Sequence, residues 1–168
     1  MKFLGETAMD LFKQSFYEKI KDSLRSEILL AFESDRNGND SDLSLLKKIV
    51  NCYVHMGYAA PKPMKSVEGF YWAGSVNLSF YDTEFEAPFL SASKELYDKK
   101  AAVWISRCSA PEYLDLADKA FTHEENYCHT MLQPETKPKL MKRVEQELVT
   151  NRSKQIVEQQ TGCMHMIK

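Results

Sequence analysis

The chain has 168 residues, of which 43% are apolar and 11% aromatic, and its formal net charge is −2. This length fits one domain, and the apolar fraction is high enough to build a packed core and too high for a disordered chain. The balanced charge offers no general basic surface for a phosphate backbone, so nucleic-acid binding is not predicted. A local basic run, Lys137, Lys139, Lys142 and Arg143, is typical of a solvated helix face.

Targeting and redox features of the chain are sparse. No apolar run approaches the about 20 residues that cross a bilayer, so no membrane association is predicted. The start, MKFLGETAMD, lacks the extended apolar stretch of a secretory signal. Four cysteines, at positions 52, 108, 128 and 163, show no paired spacing and indicate reduced thiols. We therefore expect a cytoplasmic or nuclear protein.

Apolar residues spaced by three and four predict a first helix, which ends in the turn-rich segment SDRNGND with Gly38 in a left-handed conformation. A second helix, capped by Asp40 or Ser41, runs to Gly57. The buried stripe of the first helix is predicted to contain Met9, Phe12, Phe16, Ile20, Leu24 and Ile28.

Residues 58–80 form a long connection with two prolines, two glycines and five aromatic residues, and we expect an irregular loop that packs on the helices. A third helix over 81–107 contains Pro88, which should kink its first turns or delay its start. Ser109 and Glu112 form a capping box before a fourth helix.

A fifth helix is predicted to end at Gly162, with a frayed C-terminus at 162–168. Its apolar positions are Leu140, Val144, Leu148 and Ile156. No stretch alternates with period two over a useful length, so essentially no sheet is expected. The sequence predicts an all-α fold, a bundle of five helices in a single domain over 1–168.

The segment HEENYCHTML, residues 123–132, combines residue types found in metal and catalytic sites. Zinc-binding helices place two histidines four residues apart, on one face. His123 and His129 are six apart, which puts them about 120° out of alignment on a helix. Cys128 falls on the apolar face. We therefore interpret this segment as packed core and solvated surface.

Two other pairs, Cys52 with His55 and Cys163 with His165, would form a metal site only if they met in the tertiary structure. This leaves a small, metal-dependent helical enzyme as an alternative. No Gly-rich phosphate loop or Gly-x-Ser-x-Gly turn is present. We predict no catalytic, cofactor-binding or metal-binding residues, and so no enzyme.

Four blocks of the chain, in order, resemble the cullin family. They are DRNGNDSDLSLLKKIVNCYVHMG, FEAPFLSASKELYDKKAAVWI, APEYLDLADKAFTHEENYCHTML and KPKLMKRVEQELVTNRSKQIVEQQTGC, which begin at positions 35, 85, 110 and 137. The plant cullin-1 type is the most similar. The resemblance covers nearly the whole chain and implies the second of the three N-terminal cullin repeats, a five-helix unit of a helical stalk.

The resemblance also implies a function. In a complete cullin, the first repeat holds a substrate adaptor and a C-terminal region recruits the RING protein, and neither has a counterpart among these residues. The implied protein is a non-enzymatic scaffold of cullin-RING ubiquitin ligases, either partial or a non-productive competitor. Its partners would be ligase components, and exposed repeat ends would permit self-association. A decayed cullin copy without a selected function is another alternative.

Three adjacent aromatic residues in the long connection, Phe70, Tyr71 and Trp72, are the candidate interaction residues. One interpretation is a lid over a repeat end that lacks its neighbour. The other is an anchor for a partner, because Tyr and Trp are over-represented at binding hot spots.

Overall fold

The computed structural model describes residues 11–57, 62–66, 69–73 and 77–165. The chain divides into two compact units, Met1–Ala87 and Pro88–Lys168. The described residues are mostly helical, which confirms the all-α fold class. That a single domain spans residues 1–168 stays a prediction.

In the first unit, α1 (Glu18–Arg36) follows a π-helical segment, Lys13–Tyr17, and α2 (Leu43–Met56) comes next. A short helical turn, Ser79–Tyr81, leads into a second π-helical segment, Asp82–Glu86. Because these helices are amphipathic, their apolar faces can be buried together. The buried side chains of this unit include Tyr17, Ile28, Phe32, Leu46, Val50, Tyr53, Tyr81 and Phe85.

The first π-helical segment changes which residues of the first helix are buried. Phe12 and Phe16 lie on the predicted buried stripe, but they are 46% and 54% exposed, whereas Tyr17 is buried. A π turn contains an extra residue, so the buried face moves along the sequence by one position. The predicted stripe is therefore correct at Ile28 and wrong at Phe12 and Phe16, and Met9 lies outside the described residues.

The start of α2 differs from the prediction by one or two residues. Its N-cap is Asp42, whose carboxylate accepts a hydrogen bond from the N–H of Leu45 at 2.9 Å. Asp40 and Ser41 are residue types that cap helices equally well. A side chain caps a helix in this way, however, only if it lies three positions before the free N–H whose hydrogen bond it accepts.

Glycine is required at two positions of the first unit. Gly38 has a φ of +83°, which confirms the predicted left-handed residue after α1. Gly57 ends α2, as predicted, and a Cβ there would lie 2.0 Å from the carbonyl oxygen of Asn77. Only a residue without a side chain allows the two backbone segments to approach so closely.

The structure departs in one place from the expectation of essentially no sheet. Within the connection 58–80, β1 (Lys62–Ser66) pairs with β2 (Gly69–Ala73) in an antiparallel hairpin, in which Ser66 lies opposite Gly69 and Lys62 opposite Ala73. β2 does not alternate with period two, because it contains three consecutive aromatic residues. Aromatic residues nevertheless favour strands, whichever face they occupy.

The described residues of the second unit include the α-helices α3 (Ala87–Arg107), α4 (Ala110–Thr130), α5 (Thr136–Leu148) and α6 (Ser153–His165). α3 starts at the boundary between the units. The buried apolar side chains of α3 to α5 include Phe89, Leu96, Tyr97, Ala101, Tyr113, Ala117, Leu140, Val144 and Leu148.

The predicted fifth helix is present but interrupted after Leu148. The hydroxyl of Tyr113 donates a hydrogen bond to the carbonyl oxygen of Leu148 at 2.7 Å. The N–H of Arg152, which would reach that carbonyl in a continuous α-helix, donates instead to Val149 at 3.2 Å in a 3-10 turn. A buried tyrosine from another helix thus helps to divide the predicted helix into α5 and α6.

The end of the last helix also differs from the prediction, since α6 continues past Gly162 to His165. A glycine within a helix costs only about 1 kcal/mol, so it need not end one. The expected fraying at 162–168 stays a prediction, and residues 166–168 lie outside the described part.

The N-terminus of α4 supplies a pH-dependent contribution to stability. The carboxylate of Glu112 accepts hydrogen bonds from the hydroxyl and the N–H of Ser109, at 2.7 and 2.8 Å, and these bonds lower the pKa of Glu112 below its ordinary value of 4.5. A carboxyl group whose pKa is lower in the folded than in the unfolded protein stabilises the fold at pH values above the unfolded-state pKa. This stabilisation is lost as the pH falls through the folded-state pKa.

We therefore expect Glu112→Gln to lower the thermal unfolding midpoint at pH 7, with the difference from the unchanged protein shrinking below pH 4.5. Calorimetric scans of both proteins between neutral and acidic pH measure this convergence. Two curves that stay parallel throughout would contradict the expectation.

Candidate interaction surface

The structure brings the three candidate aromatic residues into one short strand. Phe70, Tyr71 and Trp72 occupy the centre of β2, opposite residues 63–65 of β1. Sequence reasoning found these residues but assigned them to an irregular loop. Their roles as a lid or as a partner anchor stay predictions.

A triple substitution, Phe70→Ser, Tyr71→Ser and Trp72→Ser, distinguishes the two roles. If the strand covers apolar surface, we expect a lower thermal unfolding midpoint, because exposed apolar area is costly. If the strand is an anchor, the midpoint stays the same and a partner is lost. Thermal unfolding followed by circular dichroism measures the first effect, and an unchanged midpoint excludes the lid.

Apolar side chains between residues 11 and 16 are exposed, whereas the sequence predicts two of them in the core. Leu11, Phe12 and Phe16 each expose about half of their surface. The rings of Phe12 and Phe16 lie with centroids 5.5 Å apart. We call these three residues the N-terminal apolar patch. Such a patch is suited to contact with another protein surface.

The second unit has exposed apolar residues of its own, namely Val103, Leu114, Val149 and Val157. Isolated exposed aliphatic residues are common on soluble proteins and need no functional explanation. These four residues are therefore weaker candidates for a protein contact surface than the two aromatic residues of the N-terminal apolar patch.

Glu124, in the segment 123–132, is the residue whose environment the sequence did not reveal. Its carboxylate is fully buried and accepts a hydrogen bond from the hydroxyl of Tyr97 at 2.5 Å. Cys128 is also buried, as its apolar register predicted. A glutamate this deep in a helical core is uncommon unless it is hydrogen-bonded.

The remaining polar residues of this segment make ordinary surface contacts. The ammonium group of Lys137 lies 2.8 Å from Glu125 and 3.3 Å from the ring of His129, and the Lys137 hydrogen bond lowers the pKa of Glu125. The ring of His123 packs edge-on against Tyr127, with centroids 4.7 Å apart. The segment therefore combines a buried face and a solvated face, as its pattern indicated.

Of the two pairs considered as half-sites for a metal, only Cys52 with His55 has side chains that the structure describes. Over the described residues, no group of three His, Cys, Asp or Glu side chains is placed to hold a metal ion. Cys52 is exposed. The side chains of Cys163 and His165 lie outside the described part of the structure.

A second group of polar side chains, the polar cluster of the first unit, consists of the buried Tyr17 and Tyr53 and the partly buried Arg25 and Glu84. The Glu84 carboxylate accepts hydrogen bonds from Arg25 Nη2 at 2.8 Å and from the Tyr17 hydroxyl at 3.1 Å. The Tyr53 hydroxyl is buried and has no hydrogen-bond partner among the described residues. Burial raises the pKa of Tyr17 and that of Tyr53.

The polar cluster also explains how Pro88 is accommodated. Proline has no N–H, so it cannot donate to the carbonyl oxygen of Glu84, four residues earlier. Arg25 Nε donates to that carbonyl instead, at 3.3 Å. The π-helical segment Asp82–Glu86 ends just before the α-helical register begins. The predicted disturbance near Pro88 thus takes the form of a π segment.

Comparison with known proteins agrees with this helical architecture. The family model described as the cullin alpha solenoid domain matches residues 1–168. The chain belongs to the cullin family. The resemblance predicted from the four sequence blocks is thereby confirmed at the level of the family.

Individual relatives are distant in sequence but match most of this chain. A cullin-like protein 1 of Arabidopsis thaliana is 23% identical over 98% of the chain. Cullin-2 of Arabidopsis thaliana is 24% identical over 94%, and Cullin-1 of Dictyostelium discoideum is 25% identical over 83%. The chain covers 21%, 19% and 17% of these three relatives, so it corresponds to about a fifth of a cullin.

A bilayer-spanning segment is not found in the described part of this cullin-family chain, since none of its helices combines the required length and apolar character.

Proposed function

We propose that this cullin-family chain is a non-enzymatic scaffold or interaction protein that binds components of cullin-RING ubiquitin ligases. The observation that carries the proposal is the match of an α-solenoid family model over residues 1–168. Units of a helical solenoid act by packing against neighbours and partners, and they need no catalytic group. We place the protein in the cytoplasm or the nucleus, where its ligase partners would be.

The N-terminal apolar patch is the proposed contact surface. A solenoid unit buries apolar faces against its neighbours, and Phe12 and Phe16 offer two exposed aromatic rings for this purpose. Burying an exposed aromatic side chain contributes about 2 kcal/mol, enough to control a moderate protein–protein affinity.

We further propose that the 168-residue protein, produced by itself, acts as a non-productive competitor. It would occupy a surface on a ligase component without supplying the contacts that a protein about five times as long makes. In a reconstituted ubiquitination assay, adding the chain in excess should slow substrate modification. An unchanged rate at saturating concentration would leave the binding function standing and reject the competitor role.

Affinity purification from native tissue followed by mass spectrometry tests the binding function. We expect the unchanged chain to recover cullins, their RING subunit or adaptors. The double variant Phe12→Ser, Phe16→Ser should recover them at least about fivefold less, because it removes the two aromatic anchors. The matched control is Leu30→Ser, which alters another exposed apolar residue of the first unit and should preserve recovery.

Both variants should keep the thermal unfolding midpoint of the unchanged chain, because the substituted side chains are already exposed. If no ligase component is recovered at any salt concentration, the ligase association is rejected. Metal analysis of protein purified without a histidine tag tests the alternative of a metal-dependent enzyme. Stoichiometric zinc or iron would favour that alternative.

A further inference from the structure

A polar cleft with a volume of about 380 Å³ lies between α3 and the end of α5 in the second unit. The lining residues are hydrophilic, and five of them carry a carboxylate or an amide whose oxygen can accept a hydrogen bond from a ligand. These are Glu95 and Asp98 on α3, Gln146 and Glu147 on α5, and Asn151 in the 3-10 turn.

Glu147 is the unusual member of this cleft, because it is only 3% exposed. One carboxylate oxygen, Oε2, accepts a hydrogen bond from Asn151 Nδ2 at 2.8 Å. Among the described residues, no cationic group forms an ion pair with Glu147. A buried carboxylate is costly unless a cation or several hydrogen bonds compensate it. This carboxylate therefore favours a positively charged group in the cleft.

The other charges of the cleft do not supply that group. Asp98 is paired with Arg152, whose Nη2 lies 2.6 Å from Oδ1. Glu95 and Lys94, which also line the cleft, form no ion pair in the described part of the chain. With Asp98 paired to Arg152, the two other carboxylates that line the cleft, Glu95 and Glu147, have one lining cation, Lys94, so the cleft is one positive charge short.

A metal ion is a poor candidate for the missing cation, because no three His, Cys, Asp or Glu side chains of the described residues converge on one point. A guanidinium group fits better. It presents five N–H donors in one plane, and the carboxylates and amide oxygens around the cleft are acceptors. It can contact several separated acceptors at once, whereas a metal ion needs them within one coordination shell.

We propose that this cleft binds an arginine side chain of a partner protein, with the guanidinium group placed against Glu147. The amide oxygens of Gln146 and Asn151 are the neutral acceptors beside it. The partner is defined by its arginine side chain, and its binding does not depend on the association with ubiquitin ligases. It is tested with the isolated full chain, so its failure and the failure of the proposed function are distinguishable.

The experiment is a titration of the ¹⁵N-labelled full chain with the blocked tripeptide acetyl-Gly-Arg-Gly-amide, followed by NMR at low salt. We expect saturable shifts of the side-chain amide signals of Gln146 and Asn151. The same peptide with citrulline in place of arginine keeps the shape but loses the charge. It should bind at least about tenfold more weakly, because the charge pair is lost.

The variant Glu147→Gln should lose the shifts, whereas the matched control Glu145→Gln, an exposed position on the same helix, should keep them. Circular dichroism checks that both variants are folded. If Glu147→Gln unfolds the chain, Asn151→Ala replaces it and should weaken binding. Equal binding of the citrulline peptide, unchanged shifts in the folded variant, or no shift up to about 10 mM peptide would each overturn the proposal.

Discussion

Replacing Glu84 with alanine is expected to lower the free energy of unfolding by about 2–3 kcal/mol. The substitution removes two hydrogen bonds, from Arg25 Nη2 at 2.8 Å and from Tyr17 at 3.1 Å. It also leaves Arg25 partly buried without its closest carboxylate.

The matched control for this substitution is Asp22→Ala. Asp22 also faces Arg25, at 3.5 Å, but its side chain is largely exposed. Exposed ion pairs contribute little, so we expect a change within about 0.5 kcal/mol. Urea denaturation followed by circular dichroism gives the change in the free energy of unfolding for both variants. Native-state hydrogen exchange should show weaker protection of the amides of α1 and α2 in Glu84→Ala. Equal effects of the two substitutions would contradict the assigned role of Glu84.

Replacing Tyr97 with phenylalanine is expected to lower the free energy of unfolding by about 2 kcal/mol. The change preserves the ring and removes only the hydroxyl that donates to the buried Glu124 carboxylate at 2.5 Å. A hydrogen bond to a charged acceptor is about twice as strong as one between neutral groups. Removing the Tyr97 hydroxyl should therefore destabilise the fold more than removing a buried hydroxyl whose acceptor is neutral.

Tyr113→Phe is the control, because it removes a buried hydroxyl whose acceptor is the neutral carbonyl of Leu148. We expect this change to lower the free energy of unfolding by about 1 kcal/mol. Combining Tyr97→Phe with Glu124→Gln completes a double-mutant cycle, which should give a coupling of at least about 1 kcal/mol. The interpretation fails if Tyr97→Phe costs no more than Tyr113→Phe, or if the two changes in the cycle are additive.

Local features of this chain could be read from its amino acids alone. The helical spacing of apolar residues located the helices, because a periodic face is a property of consecutive positions. Gly38 and the Ser109–Glu112 pair were recognised for the same reason, since turns and caps involve residues within a few positions of each other. The four cullin-like blocks also depend only on residue order, and they indicated the family before any fold was known.

Contacts between distant residues decided the rest. The burial of Tyr17 in place of Phe16 follows from a π-helical segment, and the break after Leu148 is accompanied by a hydrogen bond from Tyr113, 35 residues away. The carboxylates of Glu124 and Glu147 resemble the solvated glutamates of any amphipathic helix when read as sequence. Only tertiary packing buries them, because burial depends on which other helix faces each residue, and local periodicity carries no such information.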